Sequence, residues 1–79
     1  MQLILEFTAP DYSAWKAAFD AQFEAIDNAG LSTLQIWRAA DEPKVLVLFE
    51  VHNRKNAEAW LARERAFAGA ARATFVETA

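Results

Sequence analysis

An α+β fold of order strand, helix, strand, strand, helix, strand is predicted by three observations. Lys44-Val45-Leu46-Val47-Leu48-Phe49-Glu50-Val51 is apolar on both alternating faces and uses residue types that suit a strand, so something must pack on each face. Tyr12, Trp15, Phe19, Phe23 and Ile26 recur at spacings of three and four, which makes one apolar stripe along a helix. The chain has 79 residues, enough for one small domain spanning 1–79 and for one layer of helices. The second cover is therefore expected from another copy of the chain.

The elements follow in order. Gln2 to Thr8 reads as the first strand, with Leu3, Leu5 and Phe7 on one face and Gln2, Ile4, Glu6 and Thr8 on the other. Thr8-Ala9-Pro10-Asp11 looks like a helix start, with Thr8 as the cap, Pro10 in the first turn and Asp11 at the positive end of the dipole. A single helix is predicted from about Pro10 to Asn28, and Gly30 suits the left-handed position that ends it.

Leu31 to Ala39 is predicted as the second strand, with Leu34, Ile36 and Arg38 on one face and Thr33, Gln35 and Trp37 on the other. Ala40-Asp41-Glu42-Pro43 turns the chain into the third strand. If Ala39 lies opposite Lys44, the hairpin pairs Trp37 with Leu46, Gln35 with Leu48, Thr33 with Glu50, Ile36 with Val47 and Leu34 with Phe49. Asn53 can cap a second helix from about Arg54 to Ala68, whose stripe is Ala57, Trp60, Leu61, Glu64 and Phe67. Gly69 is the expected exit, and Arg72 to Thr78 the fourth strand.

Right-handed crossovers assemble this order into a ferredoxin-like βαββαβ fold, a four-stranded antiparallel sheet with two helices on one face. The first and third strands are expected at its centre, running parallel. The uncovered face would carry Ile4, Glu6, Thr33, Gln35, Trp37, Leu46, Leu48 and Glu50, which is too apolar for water.

Composition excludes several functions. Eight Lys and Arg against eleven Asp and Glu give a net charge of −3, so no nucleic-acid partner is expected. The absence of cysteine removes disulfides and thiolate metal sites, and with one histidine no metal site is expected. No apolar run approaches a membrane span and no signal peptide is visible, so a cytoplasmic protein with no membrane partner is expected. With two widely separated glycines there is no phosphate-binding loop, and no cofactor is expected. Hydrophobic residues make up 54% of the chain and ten residues are Phe, Trp or Tyr, a surplus that points to an interface or a lined cavity.

The mixed face is where chemistry is expected. Glu6 and Glu50 stand on adjacent central strands, and two carboxylates close together in a partly apolar space repel and resist desolvation. At least one pKa would rise, suiting that group to act as general acid or base. His52 is an alternative base, because imidazole titrates near neutrality unaided. Thr33 and Gln35 would orient a ligand, and Trp37, Leu46 and Leu48 would form the wall of a pocket for an apolar small molecule. A structural role competes with each assignment. Glu6 and Glu50 can instead pair with Arg38, Arg72 or Lys44 across a dimer, His52 can be a solvated residue at a helix start, and Trp37 can be interface packing. In each case the structural role is the favoured one.

At this level the chain resembles a known group. Asp11-Tyr12-Ser13-Ala14-Trp15-Lys16-Ala17-Ala18-Phe19-Asp20 is similar to the DYxxWKxxFD helix of small dimeric α+β-barrel proteins. The strand Val45 to Val51, followed by a helix carrying Ala57, Trp60 and Leu61, continues the resemblance over nearly the whole chain. These proteins are relatives of antibiotic-biosynthesis monooxygenases, muconolactone isomerases and stress-responsive barrel proteins, and many are cyclase-like or of unknown function. The resemblance implies a homodimer in which two sheets face each other as a barrel, often with a ligand cavity. It implies either a cofactor-independent monooxygenase, cyclase or isomerase acting on an aromatic or polyketide-like molecule, or a non-catalytic barrel that binds small molecules or answers stress. The chain departs from the pattern at Gly69-Ala70-Ala71-Arg72, where the link to the last strand is short.

Overall fold

In the computed structural model, which describes residues 1–63 and 72–79, the chain forms a ferredoxin-like α+β fold. The elements are β1 (Gln2–Thr8), α1 (Tyr12–Ala21), α2 (Phe23–Asn28), β2 (Leu31–Arg38), β3 (Lys44–Val51), α3 (Arg54–Arg63) and β4 (Arg72–Val76). The sheet order is β2-β3-β1-β4, and every neighbouring pair is antiparallel. The central strands are β1 and β3 as expected, but they do not run parallel. The crossover through α1 and α2 returns β2 parallel to β1 one position away, and the hairpin then inserts β3 between them in the opposite direction. The predicted helix from Glu64 to Ala68, the stripe members Glu64 and Phe67, and the exit at Gly69 lie outside the described residues.

Strict alternation in β1 and β3 sets the layers. Leu3, Leu5 and Phe7 face Phe49, Val47 and Val45 across the central pair, and all six are buried. The helices cover this side. Trp15 stacks on Phe19 with centroids 5.0 Å apart, Phe7 leans on Trp15 at 5.3 Å, and Trp60 meets Phe49 edge-on at 6.5 Å. Such offset and edge contacts add to the burial of the rings themselves.

Local chemistry accounts for the helix ends. Asp11, not Thr8, caps α1: its backbone is extended and its Oδ1 accepts a hydrogen bond from the Ala14 amide at 3.2 Å. Pro10 lies just ahead of the cap, where its missing N–H costs nothing. Asn53 caps α3 as expected, its Oδ1 accepting from the Asn56 amide at 3.0 Å. Gly30 takes φ +72°, the left-handed position, and its carbonyl accepts from the His52 amide at 2.7 Å.

Two features depart from the predicted elements. The long helix breaks at Gln22, whose φ of −89° and ψ of 8° leave the helical region and whose amide turns back to Phe19 O at 3.0 Å. Trp15, Phe19 and Ile26 stay buried, but Phe23, expected in the same stripe, is 73% exposed. The second feature is a β-bulge in β2 between Thr33 and Gln35. From Gln35 onward the expected pairs hold, with Gln35 opposite Leu48, Ile36 opposite Val47 and Trp37 opposite Leu46. Before the bulge, Thr33 lies opposite Phe49 and Ser32 opposite Glu50, so the pairs Thr33–Glu50 and Leu34–Phe49 are replaced. Leu34 is the extra residue of the bulge, left unpaired and 52% exposed.

Candidate functional site

The side of the sheet away from the helices is uncovered, and cross-strand pairing arranges it in rows. The middle row runs Gln35, Leu48, Ile4, Thr74; on one side lies Trp37, Leu46, Glu6, Arg72, and on the other Ser32, Glu50, Gln2, Val76. Ile4, Leu46 and Leu48 make a half-buried apolar centre, and Trp37, 46% exposed, extends it toward the edge strand. Polar groups stand around that centre.

The two carboxylates do not form a pair. Glu6 is opposite Leu46 and Glu50 opposite Gln2, four strand positions apart along β1, which is about 13 Å at a strand's rise per residue. Each has its own partner instead. Lys44 Nζ lies 2.8 Å from Glu6 Oε1 and 3.7 Å from Glu42 Oε2. The hydrogen bond and charge of Lys44, helped by the charge of Arg72, hold the Glu6 carboxyl below the usual range. That direction is opposite to the rise expected from carboxylate repulsion. Gln2 Nε2 donates to Glu50 Oε2 at 2.7 Å. The competing ion-pair role is thus realised for Glu6 with Lys44, within the chain. Arg38, another of the partners considered, lies on the helix side of the sheet with its guanidinium 4.6 Å from the Tyr12 ring centroid.

The remaining candidates fall at three places. His52, just past β3, has Nε2 3.0 Å from Ser32 Oγ, and both residues are exposed. Gln35 stays on the open face, where its Nε2 donates to Ile36 O at 3.2 Å. Thr33 leaves that face, because the bulge turns it to the side of Phe49 and the helices. Glu6, Glu50 and His52 therefore do not converge, and no group of three or more acidic, His or Cys side chains is placed to hold a metal among the described residues.

A second concavity was not foreseen. A groove of ≈ 570 Å³ runs between the α1–α2 break and the edge strand β2, with Phe19, Phe23 and Ile26 on the helix side and Leu31, Ser32 and Thr33 on the strand side. Asp20 and Asp27 also border it. The helix break and the bulge both lie against it. Neither carries the Gly or Pro signal that marks an irregularity in a sequence, so spacing alone would not have found it.

The fold and the uncovered face together define the class, a ferredoxin-like α+β domain with one face of its sheet left open. A solved structure with the same fold is a candidate antibiotic biosynthesis monooxygenase from Nitrosomonas europaea. It superposes with a TM-score of 0.64 over 99% of this chain and 98% of that one, at 17% identity. At that identity the likeness is one of fold. No protein-family model matches the chain, and no curated protein matches it.

Proposed function

We propose that the protein works as a homodimer whose two open sheet faces meet, forming an α+β barrel that encloses a small apolar, aromatic molecule. The observation that carries this reading is the apolar centre of Ile4, Leu46, Leu48 and Trp37 on the two central strands and their neighbour. An uncovered patch of this kind on a small domain marks an interaction site. The domain measures 31 × 29 Å across its two longer dimensions, ample for the roughly 800 Å² per partner of a stable interface. Gln35 at one edge supplies the polar contact that would orient a bound ring.

The reading is binding first. The apolar centre holds no titratable group, and Glu6, opposite Leu46, has its carboxyl held below the usual range by Lys44 and is a poor proton acceptor. A catalytic reading, a cofactor-independent monooxygenase, isomerase or cyclase, is favoured by the description of the Nitrosomonas europaea structure. In that case Glu50 and His52, at the far end of the face, are the bases to mutate first. The test is light scattering over a range of concentration, followed by titration of flat aromatic molecules against Trp37 fluorescence in a variant lacking the other two tryptophans' signal (Trp15→Phe, Trp60→Phe). A dimer whose Trp37 emission responds to the ligand supports the proposal. A monomer at every concentration overturns it.

A further inference from the structure

We propose that the groove between α1, α2 and the edge strand β2 is a second ligand site, one that takes a small planar aromatic molecule carrying a protonated amine. It is independent of the reading above, because it lies on the helix side of the sheet. Two physical anomalies meet there. Phe23 belongs by spacing to the buried stripe yet stands 73% exposed at the groove. Thr33 is turned from the open face to the groove by a bulge that leaves Leu34 in solvent. Bulges recur where a strand re-aims a side chain beside a functional site.

Size and lining define the ligand. A volume of ≈ 570 Å³ lies within the ~300–1,000 Å³ of small-molecule pockets. Phe19, Ile26 and Leu31 are almost fully buried and give the groove an apolar floor, while exposed Phe23 offers a ring face to stack on. The charge is of one sign. Asp20 and Asp27 both border the groove, and Lys16 is bound to Asp20 at 2.6 Å. Asp27 has no ion pair among the described residues. A ligand carboxylate placed there would meet a like charge beside an apolar wall, whereas an ammonium would meet Asp27 and could also lie against the Phe23 ring.

The probes are 2-phenylethylamine and its anionic counterpart 3-phenylpropionate, titrated into the ¹⁵N-labelled protein and followed by amide shifts. The amine is expected to move the amides of Phe23, Asp27, Leu31 and Thr33, with a dissociation constant tighter than about 10 mM. The acid should bind at least tenfold more weakly. Asp27→Asn should weaken the amine about tenfold and leave the acid unchanged or improved, and Phe23→Ala should weaken the amine with the circular dichroism spectrum intact. Equal binding of amine and acid, shifts confined to Ile4, Leu46 and Leu48, or no shifts at all would each overturn the assignment. The outcome does not depend on oligomeric state, so its failure is separable from failure of the dimer reading.

Discussion

Lys44 Nζ lies 2.8 Å from Glu6 Oε1, diagonally across the central strand pair, and this contact decides what Glu6 can do. It lowers the Glu6 pKa from its ordinary 4.5 and raises that of Lys44 from 10.5. The signs fix two limbs of a pH profile. A depressed carboxyl pKa gives stability that is present above the unfolded value and lost as pH falls through the folded one. A raised lysine pKa gives stability present below 10.5 and lost as pH rises through the folded value. Both groups are solvent-accessible, so the effect is small. Lys44→Met should return the Glu6 carboxyl toward its ordinary value in a ¹³C-detected titration and flatten both limbs of the urea midpoint against pH. An unmoved Glu6 titration would mean that the contact is absent in solution.

The Gly30–Asn53 approach leaves no room for a side chain at Gly30. Gly30 has φ +72°, and a Cβ there would sit 3.0 Å from Asn53 Cβ and 3.1 Å from its amide nitrogen. Gly30→Ala therefore combines left-handed strain with a clash against the residue that caps α3. A loss of about 1–3 kcal/mol is expected in urea unfolding. Asn53→Ala removes only the side-chain cap and should cost about 1 kcal/mol. If Gly30→Ala proved the milder of the two, the turn would not be held as described.

What was legible in the sequence was local or strictly periodic. Leu3, Leu5, Phe7, Val45, Val47 and Phe49 were assigned to the covered face by alternation alone, and all are buried. Asn53 and Gly30 announced themselves because caps and left-handed turns are chosen by single residue types. The misreadings are non-local. Whether Glu6 faces Glu50 depends on the β1–β3 register, which no hairpin fixes and which places Glu50 opposite Gln2. The break at Gln22 and the bulge at Leu34 carry no Gly or Pro that would mark them in the sequence.

The bulge offers a direct test of the β2–β3 register. Thr33 pairs with Phe49 and Gln35 with Leu48, so Leu34 is surplus to the ladder. Deleting Leu34 would leave every other pair of the strand in place and remove a side chain that is 52% exposed. The deletion is expected to fold, with stability changed by no more than about 1 kcal/mol. Cross-strand contacts between Thr33 and Phe49 should persist in NOE spectra. A deletion that unfolds the domain would show that β2 pairs in the unbulged register, where losing one residue turns every residue ahead of it to the opposite face.

The open face carries the assembly prediction. Leu48 lies in the middle row beside Ile4, and Trp37 stands next to Leu46, so a carboxylate at either position would be placed at the centre of two facing sheets. Burying an unpaired charge there costs more than a small interface supplies. Trp37→Glu and Leu48→Glu are each expected to abolish the dimer, and because a 79-residue monomer is marginal by itself, to lose the cooperative fold with it. Light scattering and circular dichroism on the same samples read both quantities. A dimer that survives either charge would place the interface elsewhere and leave the sheet face exposed. A folded monomer would show instead that the helix-side core, built on Trp60, Phe49 and Trp15, is sufficient alone.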